Sequence, residues 1–112
     1  MAINLNNKTF KSLENSANGE VSDQTFFHYQ QEGQMLWAHY AGGSIRKGFL
    51  IGKIIDDQLE FSYQHLNHAL EIMTGKCTSR AVLNPSGKIQ LYEAWEWTCR
   101  DFSKGTSVLL EI

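Results

Sequence analysis

The sequence predicts an all-β fold, an antiparallel, eight-stranded, up-and-down barrel. Three observations carry that prediction. No i, i+3, i+4, i+7 apolar pattern persists for three helical turns anywhere in the 112 residues. Short runs rich in β-branched and aromatic residues are separated by Gly, Asn, Asp and Pro at short intervals. The two hairpins whose turns can be read also set small residues opposite large ones, as a tightly curved sheet requires.

Residues 8–14 form the first strand, with Phe10 as its core residue. The polar run at 15–23, NSANGEVSD, is a loop or an irregular crossing. Residues 25–31 and 34–41 flank Glu32-Gly33, a tight hairpin turn. A two-residue turn there places Tyr29 opposite Leu36, a bulged three-residue turn places Phe27 opposite Trp37, and the residues do not choose between them. Gly42-Gly43 leads into a strand over 44–55, interrupted by Gly48 and Gly52, and Asp56-Asp57 reverses it into 58–66. With Ile55 facing Gln58, Gly52 meets Phe61, Leu50 meets Tyr63 and Gly48 meets His65.

A turn at 67–69 precedes the strand over 73–83, and Asn84-Pro85-Ser86-Gly87 reverses that strand into 88–98. Proline pre-sets the backbone of the second turn position, and glycine accepts the left-handed conformation at its end. Together they suit a three-residue loop of Pro85, Ser86 and Gly87 with a bulge at Gly87. Ala81 then faces Leu91, Ser79 faces Glu93, Cys77 faces Trp95 and Gly75 faces Trp97. Residues 100–104 lead to a last strand over 105–112, which makes eight.

The chain is long enough for one domain that buries roughly 65% of its surface. Ten Lys and Arg stand against twelve Asp and Glu, and the basic residues are scattered. A nucleic-acid or anionic-membrane surface is therefore not expected. The opening residues are polar and no apolar run approaches membrane-spanning length, so a cytoplasmic location is the default expectation. With Cys77 facing Trp95, Cys99 lies four residues further on, roughly 13 Å away at the usual strand rise. A disulfide needs Cα atoms within about 7 Å, so both cysteines are expected as free thiols.

The segments ANGEVS (17–22), GGSI-x-KGFLIG (42–52), YQH-x-N (63–67), MTGKC-x-S (73–79), LYE-x-WEWT (91–98) and SKGTS (103–107) resemble a family of small bacterial proteins that carry the label N-acetylglutamate synthase. The resemblance runs from Lys8 onward and implies a shared fold. The label implies acetyl transfer, but no catalytic residues come with it. Acetyl-CoA-dependent transferases cradle a pyrophosphate on a glycine-bearing loop and a helix N-terminus, and this sequence has no strand–glycine loop–helix unit.

Glu93 shares the inward face with Ile89, Leu91, Trp95 and Trp97, and a carboxylate there must be hydrogen-bonded or neutralised. Ser79, directly opposite, is the candidate donor. Glu93 then either anchors a polar group of a ligand, acts as a base with a raised pKa, or belongs to a structural network. Tyr29, Tyr40 and Tyr63, with Trp95 and Trp97, are inward rings that suit a pocket wall and equally an ordinary β core. Cys77 is a small buried hydrophobe unless a base activates it, and none of the four histidines falls opposite it. These residues, Tyr29, Tyr40, Tyr63, Cys77, Ser79, Glu93, Trp95 and Trp97, are the candidate ligand-binding set, with no catalytic residue and no cofactor assigned. His65, His68 and Glu71 loosely resemble metal-ligand spacing, but a fourth ligand is missing and a solvated turn explains them.

The fold type is thus a calycin (lipocalin-like) or avidin-like barrel, and the leading function is binding of a small polar or amphipathic molecule inside it. Two alternatives stand beside it. One is an enzyme carrying out proton-transfer or acyl chemistry at Glu93 with the tyrosine hydroxyls. The other is an interaction protein with a filled core, working through its surface as a homodimer.

Overall fold

The computed structural model describes residues 3–112. Its strands are β1 (Lys8–Asn15), β2 (Phe26–Glu32), β3 (Met35–Gly42), β4 (Ile45–Ile55), β5 (Gln58–Asn67), β6 (Ile72–Leu83), β7 (Ile89–Trp97) and β8 (Lys104–Glu111). Each pairs antiparallel with the next, and β8 pairs with β1 to close the barrel, so every strand edge is used.

Turn chemistry sets two of the registers as expected. β6 and β7 pair from Gly75 opposite Trp97 to Leu83 opposite Ile89. In the connecting turn, Asn84 Oδ1 accepts the backbone N–H groups of Ser86 and Lys88, and Gly87 takes φ +80°. β4 and β5 pair from Ile55 opposite Gln58 to Gly48 opposite His65 and beyond. Asp56 and Asp57 both have positive φ, 52° and 63°, as a type I′ turn needs.

The β2–β3 hairpin differs from both expected pairings. Glu32 pairs with Met35, Tyr29 with Ala38 and Phe27 with Tyr40. The turn is therefore Gly33-Gln34, and Glu32 is the last strand residue rather than a turn residue. Gly33, at φ +60°, occupies the first central position, where a type II′ turn requires a left-handed residue.

Strand alternation fills the two ends of the barrel differently. The end that carries the β2–β3, β4–β5 and β6–β7 turns is packed with apolar side chains, including Phe10, Leu36, Leu59, Leu91 and Leu109, all fully buried. Leu5, ahead of β1, adds to this plug, and its N–H donates to Gln31 Oε1. At the other end the inward residues are aromatic and polar, and the long connection between β1 and β2 crosses the mouth. Cys77 and Cys99 are free thiols.

Glycines decide where the inward rings lie. A Cβ on Gly75 would collide with the Tyr63 ring, one on Gly105 with the Trp95 ring, and one on Gly48 with Tyr40. Each ring lies across the neighbouring strand at the one residue type that leaves room for it. Gly75 has both Tyr63 and Trp97 as cross-strand neighbours, and Tyr63, not the expected Trp97, occupies the space above it. Gly75→Val is expected to lower stability by more than about 1 kcal/mol through overpacking against Tyr63. Urea unfolding reads this directly, and an unchanged midpoint would show that the ring does not depend on that gap.

Candidate ligand-binding site

The inward residues at the loop end surround a cavity of ≈ 50 Å³. That is room for about four water-sized groups. Of the candidate residues, Tyr40, Tyr63, Cys77, Glu93, Trp95 and Trp97 line it. Tyr29 and Ser79 are buried but lie outside the lining, and neither Tyr29 Oη nor Ser79 Oγ has a hydrogen-bond partner. The rings form a continuous series around the space. Tyr40 stacks on Phe27 at 4.9 Å between centroids, His65 meets both Tyr40 and Trp97 edge-on, and Trp97 meets Trp95 at 5.5 Å and Tyr63 at 5.9 Å.

Glu93 reaches the cavity from the middle of β7, between Ser79 on β6 and Ser107 on β8. The expected donor is corrected: Ser107 Oγ, not Ser79, donates to Glu93 Oε1, at 2.8 Å. Burial raises the Glu93 carboxyl from 4.5 to about 7, with the Ser107 bond opposing the rise. Glu93 is half-buried, and it lines the cavity. The negative charge of Glu93 in turn helps to raise Tyr29, Tyr40, Tyr63 and Cys77, although burial is the larger cause for each. Cys77 is thus held as a thiol, the opposite of an activated nucleophile.

A second polar group closes the mouth, and its key residues were not among the candidates. Glu20, in the loop between β1 and β2, accepts from His65 Nε2 at 2.7 Å and from Asn67 Nδ2 at 3.1 Å. His65 is 4% exposed rather than part of a solvated turn. Its Nδ1 lies 3.0 Å from Tyr40 Oη. Since a carboxylate can only accept, Nε2 carries the proton, and in the neutral imidazole Nδ1 accepts from the Tyr40 hydroxyl. Burial lowers the His65 pKa against the raising pull of Glu20, which favours that neutral form.

The two indoles hold the same loop. Trp95 Nε1 donates to Asn15 Oδ1 at 3.2 Å, and Trp97 Nε1 donates to the Asn18 carbonyl at 3.0 Å. Asn15 also donates to the Val21 carbonyl, and Ser44 Oγ donates to that of Glu20. The loop is therefore tied to β5, β7 and the β3–β4 turn at once. Among the described residues no group of three or more His, Cys, Asp or Glu could hold a metal ion.

A family of avidin-like proteins matches residues 3–112, which is the whole of the described barrel. The chain belongs to the avidin-like family. Comparison with curated proteins and with solved structures returned no match. Nothing in the family match supports the N-acetylglutamate synthase label. Membership agrees with the closed eight-stranded architecture and supports small-molecule binding in general.

In this avidin-like barrel the buried carboxyl makes a pH-dependent contribution to stability. Below 4.5 Glu93 is protonated in both folded and unfolded chains. As pH rises from there to about 7 the unfolded chain ionises first, so the folded state loses stability, and the loss is complete above the folded pKa. A rise from 4.5 to about 7 corresponds to about 3 kcal/mol. Glu93→Gln has no proton to lose there. Its stability relative to the unmodified protein is expected to rise by about 2–3 kcal/mol between roughly pH 4 and pH 8 in urea titrations. A difference flat with pH would mean that the carboxyl is as well solvated folded as unfolded.

Proposed function

We propose that the protein is a non-enzymatic binder that takes a small polar molecule into the cavity beneath the β1–β2 loop, with Glu93 as the polar anchor. The observation that carries this reading is Glu93 itself. A carboxyl held in the barrel wall at the cost of part of its hydration makes one protein hydrogen bond, lines the cavity and has hydrogen-bonding capacity left over. Mostly aromatic walls with one or two placed polar groups are what small-molecule sites use. Avidin-like barrels bind small molecules such as biotin, which supports the same class of activity here.

Size restricts the occupant. Sites for drug-sized ligands run to roughly 300–1,000 Å³, against the ≈ 50 Å³ of this cavity. With the loop in its present position the site suits a few heavy atoms, and a longer ligand requires the Glu20–His65 contact to open. Binding fits the chemistry better than catalysis does. Burial holds the Cys77 thiol and the tyrosine hydroxyls in their protonated forms, leaving Glu93 without an activated nucleophile beside it.

The test is a tryptophan-fluorescence and thermal-shift screen of small polar molecules, run in parallel on Cys77→Leu, which pushes a larger side chain into the cavity. A ligand of the interior is expected to perturb Trp95 and Trp97 and to lose at least tenfold in affinity in the variant. A ligand that binds both proteins equally would have to sit elsewhere, and the interior site would be abandoned.

A further inference from the structure

Resting on that interior site, we infer that its ligand is a small organic cation, an alkylammonium or guanidinium group of a few heavy atoms. Three features of the cavity converge on this class. The first is charge: two carboxylates, Glu93 from β7 and Glu20 from the loop, face the space, and no Lys or Arg lines it. An anionic ligand would meet two like charges in a poorly solvated interior with nothing to neutralise it.

The second feature is the wall. The polar handles of three of its rings are engaged by protein groups: Trp95 with Asn15, Trp97 with the Asn18 carbonyl, and Tyr40 with His65; among the described residues the Tyr63 hydroxyl has no protein partner. These side chains leave ring surface for the cavity. Phe27 and Phe61 add two more rings with no polar atom at all. A box of rings attracts a cation through the negative faces of the π systems, and such cages are the usual receptors for ammonium groups.

The third feature is the difference between the two carboxylates. Glu20 is satisfied on both oxygens, by His65 and Asn67. Glu93 takes one hydrogen bond, from Ser107 to Oε1, and among the described residues no donor reaches its Oε2. An ammonium or guanidinium N–H fits that oxygen, and its positive charge supplies the counter-ion that the protein does not. The cavity volume of ≈ 50 Å³ accommodates the head group alone.

Several titratable groups face the ligand position: Glu93, Glu20, His65, Cys77, Tyr40 and Tyr63. Burial lifts the tyrosines and the thiol, so they keep their protons through neutrality, and it lowers His65, which stays uncharged there. Glu93 is the group that changes charge near neutral pH. A cation selects its ionised form, so affinity rises with pH and binding expels a proton. If His65 does charge at the acidic end, it opposes the cation there and acts in the same direction.

The experiment compares three probes of similar shape on the unmodified protein: trimethylammonium, neutral tert-butanol and pivalate. Tryptophan fluorescence and calorimetry would be read between about pH 5.5 and pH 8. The cation is expected to bind at least tenfold more tightly than either other probe, with affinity increasing as pH rises and with proton release on binding. Glu93→Gln is expected to weaken it by about tenfold or more, the usual scale for a hydrogen bond to a charged group, and to flatten the pH dependence. The comparison on the unmodified protein decides the matter even if the variant folds poorly. Equal or tighter binding of tert-butanol or pivalate, or affinity that falls as pH rises, would overturn the cation assignment while leaving an interior site in place. No interior binding by any of the three would overturn both.

Discussion

The width of an eight-stranded barrel is the constraint on which the rest of this molecule depends. Such a bore is just filled by side chains, so any space inside exists only where the packing arranges it. Here it is arranged by glycines. Gly48, Gly75 and Gly105 let Tyr40, Tyr63 and Trp95 lie over neighbouring strands. The same rings line the cavity that remains. A side chain at any of the three glycines would push a ring inward. The same substitution that strains the wall would therefore narrow the site.

The polar interior follows from the same geometry. A residue in the middle of β7 has cross-strand neighbours on both sides, and for Glu93 both are serines. Only Ser107 is used. Ser79 is equally close in register and its hydroxyl has no partner among the described residues, so the carboxyl is bonded on the β8 side alone. The Glu20–His65–Tyr40 chain is a different kind of polar group. It is satisfied at every link, and it joins a loop to two strands across the mouth. Fully connected buried networks rigidify what they join. The partly satisfied carboxyl is the one with capacity left for something from outside.

How much of this was legible in the sequence varied with how local each feature was. The β6–β7 and β4–β5 registers could be read because Asn84-Pro85-Ser86-Gly87 and Asp56-Asp57 each allow few turn geometries, and the pairing then propagates by counting. The β2–β3 register could not. Glu32, Gly33 and Gln34 contain a single conformationally permissive residue, and whether it stands first or second in the turn changes every pair. Inward placement of Glu93, Trp95 and Trp97 followed from alternation alone. Its donor did not, because Ser107 lies on a strand whose register with β7 depends on barrel closure and the irregular 98–103 segment.

Glu20 and His65 mark the limit of what pattern can show. They are 45 residues apart, and Glu20 stands in a polar loop without periodicity, where nothing local separates it from a solvated acid. His65 lies on the inward face opposite Gly48, which the β4–β5 register already implied. The spacing of His65 with His68 and Glu71 suggests a solvated turn, whereas that parity turns His65 inward. Side-chain direction in a paired strand is fixed by alternation, whereas metal-like spacing along a chain carries no such constraint. A histidine on the inward face of a closed barrel needs a polar partner at nearby depth, and a polar loop across the mouth is the natural place to find one. The loop's conformation and the burial of His65 are thus linked: without Glu20 the imidazole would be buried with an unpaired N–H, and without His65 the carboxylate would keep Asn67 as its one side-chain donor.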